Sequence, residues 1–126
     1  VKSFSDNQSG SLENMHKIKE SAIFMKEAIL RGDFDSFIDI MRAAWESKKN
    51  SSKSVSNPLI NDYIDRATKA GALAAKVSGA GGGGFIMYFV PPECRNNVID
   101  VIKDSNSWFS NCHFTMEGSQ CWTIKR

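Results

Sequence analysis

Apolar residues in the first half of the chain recur every three or four positions, which predicts two amphipathic helices. The first helix is expected to run from Ser11 to Gly32 with an apolar stripe formed by Met15, Ile18, Ala22, Met25 and Ile29. Asp33 is a natural N-cap for a second helix, whose stripe contains Phe34, Phe37, Ile38, Met41 and Trp45. The two helices are expected to form an antiparallel hairpin with both stripes in the core.

The pattern changes after this hairpin. The segment from Ser47 to Ser56 is rich in Ser and Lys and lacks apolar periodicity, which predicts a solvent-exposed loop. Asn57-Pro58 supplies the cap and first-turn proline of a third helix that is expected to end at Gly71. The apolar run from Phe85 to Val90 predicts a buried strand, and it lies beyond a glycine-rich segment that follows another strand-like run.

A helix and two strands are predicted for the remainder of the chain. Pro91-Pro92-Glu93 opens a helix that contains Val98, Ile99, Val101 and Ile102, and the strands are expected around Cys112 to Met116 and Gln120 to Ile124. This order predicts a single α+β domain over residues 1–126. Its antiparallel sheet is expected to have helices packed on one face and to be preceded by the helical hairpin.

The glycine-rich segment is the main candidate for chemistry, because five of the nine glycines lie between positions 79 and 84. Such a segment permits positive φ angles or a close approach to the backbone, and consecutive N–H groups can bind an anion such as phosphate. Gly79, Gly81 and Gly84 match the dinucleotide-binding spacing, but a strand follows them where that motif requires a helix. A P-loop is also excluded, because Lys76 and Ser78 precede the glycines. A glycine-rich turn or a close packing contact remains the alternative.

The composition of the chain limits the kinds of partner and site that are expected. The chain has 126 residues, 41% of them hydrophobic and 24% charged, and a formal net charge of +2, which gives no indication of a nucleic-acid partner. The longest apolar run is far too short to span a membrane. The spacing of the three cysteines predicts neither a metal site nor a disulfide framework. The two histidines have no neighbouring pattern that would indicate a catalytic triad or a metal site.

The order Lys76-x-Ser78-Gly79-Ala80-Gly81-x-Gly83-Gly84, followed by an apolar strand, resembles the third motif of the GHMP small-molecule kinases. The continuation from Phe85 to Glu93 and the closing residues from His113 to Trp122 are most similar to the branch that acts on D-glycero-D-manno-heptose 7-phosphate. The resemblance implies a ferredoxin-like sheet. It also implies a cytoplasmic, ATP-dependent sugar-phosphate kinase that serves nucleotide-activated heptose synthesis.

The resemblance also implies which residues bind the substrate. The expected phosphate- or substrate-binding residues are Lys76, Ser78, Gly79, Ala80, Gly81, Gly82 and Gly83. No catalytic residue or metal ligand is expected in this chain. The family binds ATP and Mg²⁺ mainly through an N-terminal domain, whose Pro-x-x-x-Gly-Leu-Gly-Ser-Ser type loop does not occur among these residues.

The chain is therefore expected to be the C-terminal part of a longer kinase. Alone it is expected to be inactive, and self-association through an apolar surface is expected. Two alternatives remain at this point: a stand-alone ferredoxin-like module for ligand sensing or protein interaction, and a GHMP kinase of another specificity.

Overall fold

A computed structural model of the protein describes residues 8–51, 54–79, 81–113 and 115–123, with side chains from residue 12 onward. Its elements in chain order are α1 (Gln8–Arg31), α2 (Phe34–Ser51), α3 (Pro58–Lys69), β1 (Ala74–Val77), β2 (Ile86–Phe89), a 3-10 turn (Pro92–Cys94) and α4 (Arg95–Ile102). Within this part of the chain, none of the helices has the length and apolar character needed to cross a membrane.

The connection between α1 and α2 forms as its sequence predicts. Gly32 takes a φ of 68°, a conformation that glycine adopts without strain. The Asp33 N–H donates to the Ala28 carbonyl at 2.9 Å, which closes the end of α1. The Asp33 carboxylate then accepts from the Ser36 N–H at 3.0 Å, so Asp33 is the N-cap of α2 as expected. These contacts turn the chain back and produce the predicted helical hairpin.

The second apolar stripe is mostly buried as predicted, although its first residue, Phe34, is 58% exposed. In α2, Ile38, Met41 and Trp45 are all buried. In α1, by contrast, Met15 is 52% and Ile29 is 49% exposed, so the prediction that this stripe lies wholly in the core is wrong. The reason is the position of α1, which packs mainly against α2, whereas α2 lies between α1 and β1.

The predicted loop over residues 47–56 is also wrong in its first half, because α2 continues to Ser51. Lys48 and Lys49 occupy the last turn, where positive charge interacts favourably with the helix dipole. Lys49 forms an ion pair with Glu46 at 2.7 Å. Later in the same segment Val55 is buried, so this part of the connection contacts the core.

The two strands form an antiparallel hairpin in which Ala74 lies opposite Phe89. Ala74 and Phe89 belong to a cluster with buried residues of α2. Tyr88 points to the other face, where it packs against Ala67 of α3 and Val98 of α4. The α+β class and the antiparallel pairing are confirmed. The sequence predicted helices on one face, whereas in the described residues helices contact both faces of this hairpin.

The two strands predicted near the C-terminus are not formed in the described residues. Residues 111–113 and 115–123 have no strand, and Phe114 and Ile124, which fall within the predicted strands, lie outside the described residues. A strand requires a neighbouring strand and a covered apolar face. Here Met116 and Trp122 are exposed, and the only described sheet has the order β1-β2.

A polar cluster joins α3 to the segment that follows α4. The Tyr63 hydroxyl donates to Asp104 Oδ1 at 2.7 Å, and Arg66 Nη2 contacts Asp104 Oδ2 at 3.2 Å. The Asn106 N–H donates to the same carboxylate at 2.8 Å. These contacts, led by the Tyr63 hydroxyl, lower the pKa of Asp104 to about 2. The ionised carboxylate therefore stabilises the packing of α4 on α3.

We predict that this carboxylate contributes to acid sensitivity. Because the pKa of Asp104 is lowered on folding, its contribution is present above the unfolded value of about 3.9 and is lost as pH falls towards about 2. The Asp104→Asn variant should be less stable than the native protein at pH 7, and the difference should shrink between about pH 4 and pH 2. Urea denaturation across this range measures both quantities. Asp100 lies on the exposed surface of α4, so Asp100→Asn is the control. Its difference in stability from the native protein should not shrink over this pH range.

Candidate phosphate-binding site

An open concavity of about 420 Å³ lies beside the start of the glycine segment, between α1, the C-terminal end of α2, and β1 with β2. Its lining consists of Ile18, Lys48, Ser51, Val55, Lys76, Val77, Ser78, Gly79 and Met87. This set includes two lysines and no acidic residue. The concavity therefore carries positive charge that its own lining does not neutralise.

The two lysines of the concavity differ in their contacts. Lys48 Nζ donates to the Val77 carbonyl at 3.0 Å and also to the Gly79 carbonyl. Burial lowers the pKa of Lys48, and the charge of Lys76 lowers it further. The Lys76 ammonium has no hydrogen bond or ion pair within the described residues. Lys76 is thus the cation that can bind an anionic ligand without breaking an existing contact.

Backbone and hydroxyl donors lie next to this cation. The Ser78 N–H donates to the Phe85 carbonyl at 2.8 Å, which closes the glycine segment into a loop. Within the described part of the chain, the Ser78 hydroxyl and the N–H groups of Gly79, Gly83 and Gly84 have no hydrogen-bond partner. Donors of this kind match the oxygens of a phosphate group.

The middle of the glycine segment has a different role, because it packs against the residues before α3. Gly81 has a φ of +96°, and a Cβ there would lie 2.7 Å from the Val55 carbonyl oxygen. The Gly82 N–H donates to the same carbonyl at 2.9 Å. Asn57 Nδ2 donates to the Gly82 carbonyl at 3.2 Å. For Gly81 and Gly82, the close packing contact considered as an alternative is therefore the observed arrangement.

The structure divides the predicted site residues into groups. Lys76, Ser78 and Gly79 lie together in the concavity. Gly81 and Gly82 contact the residues before α3, and Gly83 has open space where a Cβ would lie. Ala80 falls outside the described residues. Binding of phosphate by any of these residues stays a prediction.

Lys48 and Asn57 were missed as site residues by the sequence analysis. Lys48 follows Trp45 by three positions, so it continues the buried stripe of α2 through Met41 and Trp45. A lysine that is buried is usually paired, so its position on the apolar face of α2 was a signal available in the sequence. Asn57 was identified as a helix cap, and its second contact with Gly82 had no sequence signal.

The lining of the concavity offers donors for a phosphate group and no carboxylate for a metal ion. A phosphate needs the N–H donors, hydroxyl and ammonium described above. A metal such as Mg²⁺ needs several oxygen ligands, carboxylates above all. No group of three or more His, Cys, Asp or Glu side chains within the described ranges is arranged to hold a metal.

Comparison with known families gives a clear match. The model of the C-terminal domain of GHMP kinases matches residues 25–106, a range that contains α2, α3, the hairpin, the glycine segment and α4. The chain therefore belongs to the GHMP kinase family. The match covers every residue that lines the concavity except Ile18, together with the residues that fix the glycine segment.

Individual relatives include sugar-phosphate kinases. The chain is 41% identical over 114 residues to the D-glycero-alpha-D-manno-heptose 7-phosphate kinase of Campylobacter jejuni, covering 90% of this chain and 34% of the relative. It is 34% identical over 96 residues to the mevalonate kinase of Thermococcus sibiricus, covering 73% of this chain and 27% of the relative. The chain thus spans between about a quarter and a third of the length of these two curated relatives.

A solved structure shows the same relationship. The crystal structure of a D-glycero-D-manno-heptose 1-phosphate kinase from Bacteroides thetaiotaomicron is 41% identical in sequence, with a TM-score of 0.51. The match covers 72% of this chain and 25% of that chain. The described fold is therefore one that a GHMP sugar kinase contains.

The packing of Gly81 leads to a stability prediction. Gly81→Ala should lower the free energy of unfolding by about 1 to 3 kcal/mol, because a left-handed φ is strained for alanine and the new Cβ would overlap the Val55 carbonyl. Gly83→Ala is the matched control, since its φ is not left-handed and its surroundings are open. Urea denaturation measures both variants. Equal stability of the two would contradict the close contact with Val55.

The two contacts of Asn57 can be separated by substitution. Its Oδ1 accepts from the Ile60 N–H at 2.9 Å and caps α3, while its Nδ2 contacts Gly82. Asn57→Ser should keep the cap but lose the contact, because the serine hydroxyl is too short to reach Gly82. Asn57→Ala should lose both and cost about 1 kcal/mol of stability.

Hydrogen–deuterium exchange, read alongside urea denaturation, distinguishes these contacts. Exchange over residues 81–84 should become faster in both Asn57 variants. Exchange in α3, by contrast, should become faster only in Asn57→Ala, which loses the helix cap. Unchanged exchange in the serine variant would show that Asn57 does not hold the glycine segment.

Proposed function

We propose that this chain is the C-terminal domain, over residues 1–126, of an ATP-dependent kinase that phosphorylates D-glycero-D-manno-heptose 7-phosphate. Family membership and the 41% identity to a heptose 7-phosphate kinase support the proposal. The structural observation that carries it is the concavity in which Lys76, Ser78 and Gly79 meet. We further propose that the kinase acts in the cytoplasm and that its product is used for the synthesis of nucleotide-activated heptose.

The chemistry required of these residues is electrostatic. Phosphoryl transfer depends on positioning the reactants and stabilising the negative charge of the transferred group. The Lys76 ammonium supplies a positive charge, while the Ser78 hydroxyl and the Gly79 N–H supply directional hydrogen bonds. Donors fixed in advance in this way stabilise charge without having to reorganise during the reaction. The proposed contribution of this chain is therefore to bind and orient phosphate oxygens.

The rest of the proposed site lies in another domain. We assign the binding of ATP and Mg²⁺ mainly to an N-terminal domain of the same enzyme, together with the catalytic base. The metal ion would neutralise phosphate charge during transfer. This chain alone is then expected to be inactive, because it contributes one side of the site. Its exposed apolar residues on α1, such as Phe24 and Leu30, are in keeping with the self-association expected of the isolated chain.

The proposal can be tested with the full-length protein. It should phosphorylate D-glycero-D-manno-heptose 7-phosphate in the presence of ATP and Mg²⁺ and prefer it over L-fucose and mevalonate. Lys76→Met should lower kcat/KM by about 10- to 100-fold, which corresponds to the loss of one hydrogen bond to a charged group. Lys69→Met, on the exposed surface of α3, is the matched control and should leave kcat/KM unchanged.

The outcomes separate the alternatives. A preference for mevalonate or fucose would replace the heptose assignment with another GHMP specificity. Failure to phosphorylate any of these substrates would favour a ligand-sensing or interaction module. Normal activity of Lys76→Met would show that this ammonium group does not contact the substrate.

A further inference from the structure

The backbone around Ser78 is held by three hydrogen bonds from two directions. Lys48 Nζ donates to the carbonyl before Ser78, that of Val77, at 3.0 Å, and to the carbonyl after it, that of Gly79. The Ser78 N–H itself donates to the Phe85 carbonyl at 2.8 Å. One ammonium group on α2 therefore binds the carbonyls of the residues on either side of the serine.

Placing the Lys48 ammonium group in this concavity has a free-energy cost. Lys48 is half-buried, and its nearest charged neighbour in the concavity is another cation, Lys76. Burial and this like charge both disfavour the ammonium form, in keeping with the lowered pKa of Lys48. An exposed lysine would avoid both penalties. The two carbonyl contacts offset part of this cost, and an anion bound in the concavity would offset more of it.

Lys48 is also poorly suited to be the main ligand of a phosphate. An ammonium group has three donors, and two of those of Lys48 are directed to backbone carbonyls. Lys76 lines the same concavity and has no such contacts within the described residues. The two lysines therefore have different tasks: one holds the backbone, and the other faces the ligand.

We propose that Lys48 is a positioning residue for the phosphate site: its contacts with Val77 and Gly79 hold the Ser78 hydroxyl, the Gly79 N–H and the Lys76 ammonium in one arrangement that receives the phosphate-bearing substrate. This inference rests on the proposed function and adds a residue on α2 to the site. Because Lys48 acts through Ser78 and Gly79, its loss should disturb orientation more than affinity.

The chain offers a matched control in the next residue. Lys49 has the same charge as Lys48 and is its direct neighbour on α2. Its ammonium group, however, forms an ion pair with Glu46 at 2.7 Å and lies 5.8 Å from the centre of the Trp45 ring. Lys49 does not line the concavity. The test therefore compares Lys48→Met, Lys48→Arg and Lys49→Met in the full-length protein.

Two measurements are made on these variants. In steady-state kinetics, Lys48→Met should lower kcat by about tenfold or more with KM within about threefold, because misoriented reactants react slowly even when bound. Lys48→Arg should recover most of kcat, since arginine keeps the charge and supplies several N–H donors. In hydrogen–deuterium exchange without substrate, residues 77–85 should exchange faster in Lys48→Met while α3 is unchanged. Lys49→Met should match the native protein in both measurements.

Each other result overturns the inference. A rise in KM alone would make Lys48 a direct ligand, and unchanged kinetics would remove it from the site. Faster exchange throughout α2 and α3 would indicate a purely structural role. If the native protein phosphorylates none of the substrates, the proposed function fails, and the exchange data still decide whether Lys48 holds residues 77–85.

Discussion

The pairing of β1 with β2 is the constraint on which the rest of the described structure depends. The Ser78 N–H closes the loop between the strands by donating to the Phe85 carbonyl at 2.8 Å. The register fixed by this pairing directs Phe89 towards α2 and Tyr88 towards α3 and α4. A shift of one residue would exchange these two faces. The positions of α2, α3 and α4 relative to the glycine segment thus follow from a four-residue pairing.

The glycine segment serves both packing and the candidate site, and different residues carry the two roles. Gly81 lets the backbone approach Val55 at a distance that a side chain would prevent, and the Gly82 N–H donates to the Val55 carbonyl. That contact joins the segment to the start of α3, while Lys48 joins it to the end of α2. Within the described residues, the N–H groups of Gly79, Gly83 and Gly84 have no hydrogen-bond partner. A loop fixed at both sides loses little conformational entropy when it binds an anion.

Features that depend on interactions between neighbouring residues were predicted correctly from the sequence, whereas features that depend on distant residues were not. The turn at Gly32 and the caps at Asp33 and Asn57 depend on neighbouring residues, so they were predicted correctly. Burial of Met15 depends on what covers α1, which periodicity does not reveal. The prediction of two C-terminal strands was wrong for a similar reason. A strand forms only where a neighbouring strand is available to pair with it, and the sequence pattern does not show whether one is.

The sequence by itself determined the helical hairpin, the strand–glycine–strand segment and the family to which the chain belongs, since all three are written in consecutive residues. The tertiary structure decided which glycines contact Val55 and which leave their N–H groups open. It also brought Lys48 beside Lys76, although 27 residues separate them in the sequence. Such a pairing follows from the packing of α2 against β1, and no local pattern encodes the distance between two side chains on separate elements.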